Sequence, residues 1–481
     1  MSAEYYIKEF LRKRGYETEE EQANFLNFRE EDLRSVEDMI GGRELLSELR
    51  EAVCNRKHIT VYGDYDADGI LSTCIFYSAL ERLSPGRVHY FINDRFEDGY
   101  SITEDTMKKM LEALPETEVI LTCDNGVNAV EAAAYARSAG ITVLVTDHHE
   151  QSETTQLPEE IPALDEKSVR QKEKDQAEGV KREDFCGAEL ARRVIHALYK
   201  MFPDAPDDEA YLAFSGCAQI TDSVPVNPAN HYIMQRGLAV MRKDEGIWKL
   251  LHEVCGLQRR ADGYTIGFHY GPTINACGRV TGSANKVMEA LLLSSEPEKC
   301  REALRELRTL NEVRKEMCTR NDELAFSLIR ERNLQKDPFI FLYDESFDEG
   351  INGLTASHVT ERFGVPSAVL SPLKNDPAAF KGSARSVETF DLFQNLSSHP
   401  EKIKAGGHPM AAGLTVKRED LEEVRRLLIA DAEKVKEEAE EKEKREAEEA
   451  EKAEKASGEN KGQGAAGKTS QQEEEETDKK A

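Results

Sequence analysis

The sequence predicts an α/β protein: a parallel sheet with helices on both faces, joined by long helices to a smaller α/β domain, with the active site in the cleft between them. Three observations predict it. Short β-rich runs alternate with helical patterns from Ile59 to Thr146, as parallel strands linked by crossover helices require. A Glu- and Arg-rich stretch from Val287 to Leu334 reads as one or two long helices with a solvated face. A second α/β pattern begins at Pro338.

The elements follow in order. Residues 1–50 read as helices, because Tyr5-Tyr6-Ile7, Phe10-Leu11, Phe25-Leu26, Leu33, Met39-Ile40 and Leu45-Leu46 recur near helical spacing. Ile59-Thr60-Val61-Tyr62-Gly63 is strand-like, and Gly69 to Arg82 is helical. Val88 to Ile92 is a strand, Ile102 to Leu114 a helix, and Glu118 to Cys123 a strand. Ala129 to Ala139 is an Ala-rich helix closed by Gly140, and Ile141 to Thr146 is the next strand. From Glu150 to Asp184 the chain is polar and charged and reads as a loop or insertion. Helices are expected from Gly187 to Met201 and from Asp207 to Ile220. The second pattern has a strand near Phe339–Tyr343, a helix over Leu354–Phe363, a strand at Ser367–Leu370 and a glycine-rich end at Gly406-Gly407. The division expected is an N-terminal helical segment at 1–50, a catalytic domain at 51–285, a helical connector at 286–336, a substrate-binding domain at 337–420 and an acidic tail at 421–481. The tail reads as an exposed helix to about Ala456, supported by i,i+4 pairs, and as disordered from Ser457.

Composition narrows the function classes. Of 481 residues, 39% are hydrophobic, enough for sizeable cores. No apolar run reaches the roughly 18 residues of a membrane span, and the N-terminus lacks a signal-peptide pattern, so a cytoplasmic protein is expected. The nine cysteines include no Cys-x-x-Cys pair, which disfavours zinc and disulfide frameworks. Net charge is −28; Asp431 to Ala481 holds 18 acidic and 11 basic residues, a net of −7, which leaves −21 on the rest. A polyanionic substrate therefore needs a local basic patch or bound cations to offset this field.

The acids are placed where such cations would bind. Asp64, Asp66 and Asp68 follow the first strand, Asp124 follows the third, and Asp147-His148-His149 follows the fourth. Ligands of open parallel sheets bind outside the carboxyl ends of the strands. Three strand ends thus deliver five carboxylates and two imidazoles to one edge. They cannot all stay ionised together without cations, and hard divalent ions suit oxygen ligands, with a histidine tilting the choice from Mg²⁺ towards Mn²⁺. Two such ions about 3.5–4 Å apart would support phosphodiester hydrolysis, with Asp124 a candidate bridge. Alone, an Asp-x-Asp after a strand is usually a helix cap and a His-His pair usually packing; the conjunction at three strand ends is what points to metal.

The motifs resemble the DHH phosphoesterases, and specifically their RecJ branch. Val61 to Ile70, Asn93 to Tyr100, Cys123-Asp124-Asn125-Gly126, Thr146 to Glu150 and Ile220 to Pro225 carry the resemblance in the first domain. Gly271 to Arg279, Gly382 to Ser386 and Gly406 to Gly413 carry it downstream, so it covers roughly residues 1–420. It implies a 5′→3′ exonuclease on single-stranded DNA in repair and recombination, using Mn²⁺ or Mg²⁺, two ions in all. It implies Asp66, Asp68, Asp124, His148 and Asp222 as metal ligands, with Asp64 in support. It makes Asp124, Asp147, His148 and His149 the catalytic group, His149 touching the scissile phosphate or a ligand. It implies a substrate grip by Asn275, Arg279, Gly382, Ser383, Arg385, Gly407 and His408. Replication or repair proteins are expected partners.

The sequence departs from the branch in places. Thr273 stands where an arginine is usual, and Asp348 where a histidine is usual. The acidic tail occupies the place of an OB-fold, with none of the alternating strands such a fold needs. Two rival readings follow: a relative acting on short oligonucleotides or cyclic dinucleotides, and a non-catalytic replication scaffold of the same fold.

Overall fold

The apolar runs of the first half form five strands: β1 (Ile59–Gly63), β2 (Val88–Ile92), β3 (Val119–Cys123), β4 (Thr142–Thr146) and β5 (Ala163–Leu164). The structure is a computed structural model that describes residues 3–152, 156–243, 245–373, 376–439, 441 and 444–445. The strands lie in the order β2-β1-β3-β4-β5, and every pairing is parallel. Side chains alternate between two cores, as a sheet covered on both faces requires. Ile59, Val61, Val119, Leu121 and Leu144 enter one, with the helices Ala67–Leu83 and Gly187–Tyr199. Tyr62, Ile120, Val143 and Val145 enter the other, with Glu104–Ala113 and Val130–Ser138.

The chain divides into two compact units, Met1–Glu316 and Met317–Ala481. The first takes in the N-terminal helices: Val36, Met39, Leu45, Leu46 and Leu49 belong to its larger core. A helix of 35 residues, Pro297–Glu331, carries the chain from one unit to the next.

The second unit holds β6 (Ile340–Tyr343), β7 (Ser367–Leu373), β8 (Asp376–Arg385), β9 (Ile403–Gly407) and β10 (Ala411–Lys417) in the order β6-β7-β8-β10-β9. Among the described residues only β6 and β7 pair in parallel; the other three pairings are antiparallel. The helix Asn352–Phe363 follows β6 and ends at Gly364.

Two expectations from sequence are revised. The segment from Glu150 to Asp184 is more than a loop: it contributes edge strand β5 and the helix Val169–Glu178. The strand is two residues long and the helix buries polar Gln171 and Asp175, so neither left an apolar period to read. The second unit also continues past 420. Residues 421–439 are helical, and Leu421, Val424, Leu428 and Ala432 are buried in that unit's core. Their one-faced spacing lies hidden in a Glu- and Arg-rich composition. The tail's expected disorder from Ser457 falls outside the described residues. All nine cysteines are free thiols, eight of them buried.

Candidate metal centre

Three strand ends and three helix ends converge at the carboxyl edge of the first sheet. β1 runs into Asp64, which is buried, and then into Asp66, the N-cap of the helix Ala67–Leu83. Asp66 Oδ1 accepts the backbone N–H groups of Asp68 and Gly69 at 2.9 and 3.1 Å. This turn fixes the first of the helix's orphan donors and leaves the second Asp66 oxygen for another partner. Asp68 sits in the first helical turn, facing inward, and is 2% exposed. Its two oxygens accept N–H groups from the start of another helix, Gly187 at 2.6 Å and Ala188 at 2.8 Å. A helix N-terminus is where a carboxylate is best held.

Asp124 follows β3 with a φ of +57°, a left-handed conformation uncommon for a non-glycine residue. Gly126, two residues on, also has a positive φ, of +117°. Asp147, His148 and His149 follow β4. His148 Nε2 lies 2.9 Å from Asp124 Oδ1, 3.4 Å from Asp68 Oδ2 and 4.0 Å from Asp222 Oδ2. Asp222 caps the helix Tyr211–Thr221 at its C-terminal end.

Asp147 stands behind this group. Its Oδ2 accepts the N–H of Val127, and its Oδ1 accepts the N–H groups of His148 and His149 and pairs with His149 Nδ1 at 2.7 Å. Burial pushes its acidity one way, but the His149 charge and these donors outweigh it and hold the carboxyl well below its usual range. Burial likewise disfavours the His149 cation, yet Asp147 raises it to about 9. In that imidazolium form Nδ1–H donates to Asp147, and Nε2–H donates to the Tyr100 oxygen 2.6 Å away.

The remaining carboxylates are pushed up together. Burial first, then the Asp66 charge, lifts Asp64 well above the ordinary carboxylate value and Asp68 to about 6. Burial and Asp68 lift Asp124 and bring Asp222 to about 8. Asp64 Oδ1 is buried with no hydrogen-bond donor, and Asp124 Oδ1 is buried against the His148 ring, at 2.9 Å. Acceptor oxygens crowded in this way lack a positive partner, and a divalent cation supplies one. Three overlapping sets place ligand atoms within 4.8 Å of one another: Asp64, Asp66 and Asp124; Asp68, His148 and Asp222; Asp124, His148 and His149. The first is all oxygen and the second mixes imidazole with carboxylate, a donor chemistry that fits Mg²⁺ or Mn²⁺; in the third, His149 has no lone pair to give while both its nitrogens carry protons.

Two neighbours stand out that strand-end reasoning did not select. Asp165 follows β5, is buried, and is raised by burial and by Asp147. Its signal was lost with the two-residue strand. Tyr100 belongs to the Asn93–Tyr100 motif, but only the fold brings its hydroxyl to His149 across 49 positions of sequence.

The expected substrate-binding residues fall in two places. Asn275 and Arg279 lie on the helix Gly271–Thr281 of the first unit. Arg279 is close enough to act electrostatically on Tyr65, beside Asp64 and Asp66. Gly382, Ser383 and Arg385 lie on β8, and Gly407 and His408 lead from β9 into a tight turn closed by the His408 N–H on the Ala411 carbonyl at 2.8 Å. Register pairs Arg385 with Ala411, which puts that turn beside the end of β8. A side chain at Gly382 would meet the Val369 carbonyl at 2.1 Å, so the close strand approach demands glycine. Of the departures, Thr273 is buried and accepts from Asn311 Nδ2 at 3.4 Å, whereas Asp348 pairs with Arg320 at 3.2 Å.

The chain resembles known proteins in sequence and in fold. Residues 58–217 match the DHH family, N-terminal domain, and residues 336–434 match the DHHA1 domain. The chain is 31% identical over 430 residues to the single-stranded-DNA-specific exonuclease RecJ of Bacillus subtilis, covering 88% of this chain and 52% of the relative. It is 28% identical over 415 residues to the exonuclease of the same name from Haemophilus influenzae, covering 82% of this chain and 70% of the relative. A crystal structure of exonuclease RecJ bound to manganese superposes with a TM-score of 0.67 at 26% identity, over 83% of this chain and 96% of that one. The Mn²⁺ complex of RecJ from Thermus thermophilus gives 0.69 at 25% identity, over 82% and 55%. The chain thus spans about half the length of the Bacillus and Thermus proteins. Among the described residues no helix is long and apolar enough to cross a membrane.

Proposed function

We propose that this chain, which carries a DHH domain and a DHHA1 domain, is a metal-dependent nuclease that removes nucleotides from the 5′ end of single-stranded DNA in repair and recombination. The observation that carries the reading is the pair of donor sets, Asp64-Asp66-Asp124 and Asp68-His148-Asp222, which meet across the Asp124–His148 contact. These residues would hold divalent cations, Mn²⁺ or Mg²⁺, two in all. Bound there, such ions would lower the pKa of a coordinated water and neutralise charge on the scissile phosphodiester.

The chain's own residues do the rest. The N-terminus of the helix Gly187–Tyr199 fixes Asp68, and Asp66 is fixed by the turn it caps. Asp147 keeps His149 cationic and oriented, so an imidazolium faces the cluster where a phosphate oxygen would lie. Arg279 and Arg385 supply planar, two-pronged donors for phosphate, and Asn275, Ser383 and His408 supply further donors. Gly382 and Gly407 let backbone approach the chain of phosphates. The likeness in sequence to exonucleases whose names specify single-stranded DNA supports that substrate. A cytoplasmic location and contacts with repair or replication proteins belong to the same reading.

A second reading, hydrolysis of short oligonucleotides, is favoured by the −21 balance outside the tail, which opposes a long polyanion. Full-length protein with Mn²⁺ on a labelled single-stranded 40-mer and on dinucleotides separates the two. Stepwise shortening of the 40-mer from its 5′ end is the expected result. Turnover of dinucleotides alone would replace the first reading with the second. Intact substrate in both, with Mn²⁺ present, would leave only a scaffold of this fold.

A further inference from the structure

The helix bearing Asn275 and Arg279 begins earlier than its motif. Gly263–Thr265, a wider π turn at Ile266–Tyr270 and the helix Gly271–Thr281 form one unbroken helical run. Thr265, Ile266, Tyr270, Ile274, Ala276 and Cys277 pack inward. The opposite side carries Tyr264, Phe268, Asn275 and Arg279, spaced by about one, two and one helical turns. Tyr264 and Phe268 are 56% and 64% exposed. Their rings stack on each other with centroids 4.5 Å apart and planes 23° from parallel. Two large rings kept out of the core, and against each other, leave an outer aromatic face in water. π turns of this kind concentrate at functional sites.

We propose that Tyr264 and Phe268 form a stacking platform for the bases of single-stranded DNA, on the same helical run as Asn275 and Arg279 and nearer its N-terminal end. The inference rests on the nuclease reading above and specifies how its substrate is held. Nucleobases stack on exposed aromatic rings without regard to sequence, and such rings serve best beside cations that follow the backbone. Cations are present around the pair despite the acidic chain. Arg308 and Lys315 are near enough to help hold His269, the residue after Phe268, below its usual range, though burial does most of this. Arg259 and Arg242 are near enough to act on Asp262. Arg308 and Lys315 also share Glu312, at 3.0 Å each, so part of their charge is already balanced.

The far end of the run abuts the metal centre. A side chain at Gly278 would reach the Tyr65 carbonyl at 3.2 Å, and the Gly282 carbonyl accepts the N–H of Arg95 at 2.9 Å. From Phe268 to Arg279 the helix rises about 16 Å. That distance corresponds to about five nucleotides at the stacked spacing of about 3.4 Å, and to fewer in an extended strand. The platform therefore engages bases a few nucleotides from the bond to be cut.

The test compares binding of a fluorescent 20-residue oligothymidylate with an abasic oligomer of equal length, by anisotropy in EDTA. In full-length protein, Phe268→Ala and Tyr264→Ala should each weaken oligothymidylate binding roughly 5- to 150-fold. Abasic binding should stay unchanged, and Phe268→Trp should keep the wild-type affinity. Unchanged oligothymidylate binding, or an equal loss on the abasic chain, overturns the platform; the first outcome would turn the pair into a candidate protein contact. Hydrolysis with Mn²⁺ is scored separately. Base-dependent binding without hydrolysis sinks the nuclease reading but not the platform, and hydrolysis without base-dependent loss sinks the platform alone.

Discussion

The carboxylate of Asp68 accepts the backbone N–H of Gly187 at 2.6 Å, although 119 positions of sequence separate them. The same glycine lies against Asp124: a Cβ on it would meet the Asp124 Cβ at 2.7 Å. One residue therefore positions acids from two strand ends.

Gly187→Ala should push the helix start off both acids. The expected result is a 10- to 100-fold loss of Mn²⁺ affinity and of activity, the order seen when partners of metal ligands are altered. Overpacking should cost about 1–3 kcal/mol of stability as well. Mn²⁺ titration and chemical denaturation measure the two effects. Wild-type metal affinity in this variant would remove Gly187 from the account of the site.

Asp124→Ala should abolish phosphodiester hydrolysis, by more than about 10³-fold, since a preorganised charge at the reacting centre is lost. Its metal-free thermal stability should equal or exceed that of the wild type, because one of several crowded like charges is gone. Measurable activity at one-tenth of wild type, with Mn²⁺ in excess, would sink the cluster mechanism.

Metal-free protein should lose stability as pH rises from about 4 to 8. Asp68 and Asp222 are raised in the folded state to about 6 and 8, against an unfolded value of about 3.9. Between those values the native state binds more protons than the unfolded state, so the unfolding free energy falls with pH. The His149 contribution runs the same way: its folded value of about 9 gives stability that is complete below about 6.5 and lost towards 9. Mn²⁺ should therefore raise the melting temperature much more at pH 8 than at pH 5. Scanning calorimetry with and without EDTA decides; an equal shift at both pH values contradicts the crowding.

A prediction away from the site concerns Glu189. Its carboxylate is fully buried, 2.8 Å from both Arg192 Nε and Arg193 Nε, and accepts from Ser215 Oγ at 2.6 Å. Burial pushes it up, but the two arginines outweigh burial and hold it at about 2. Glu189→Gln should destabilise the fold by about 1.5–3 kcal/mol, since two buried guanidinium groups each lose a charged partner while Arg192 keeps Glu30 and Arg193 keeps Glu183. The wild type gains this stability above about 4.3 and loses it as pH falls towards 2, so the variant's deficit should shrink in acid. Urea denaturation at pH 7 and pH 3 gives both numbers.

Much of the site was legible because its signals are local. An acid just after a β-rich run is at a strand's carboxyl end, and parallel order puts such ends on one edge; Asp64, Asp66, Asp68, Asp124 and His148 needed nothing more. Asp222 lay outside that logic, because it ends a helix and only packing carries it to within 4.0 Å of His148. Asp165 was masked by a strand too short to show a period, and the core face of residues 421–432 by its charged neighbours.

The sequence by itself determined the alternation of elements, the parallel sheet and the identity of the acids, since period and strand-end position are properties of a few consecutive residues. Only the tertiary structure decided how those acids differ. Asp147 faces backbone N–H groups and His149 and is held ionised, whereas Asp64 and Asp124 are buried beside other carboxylates and are pushed up. The same side chain takes opposite roles because solvation and nearby charge, which set its protonation, come from residues distant in the chain.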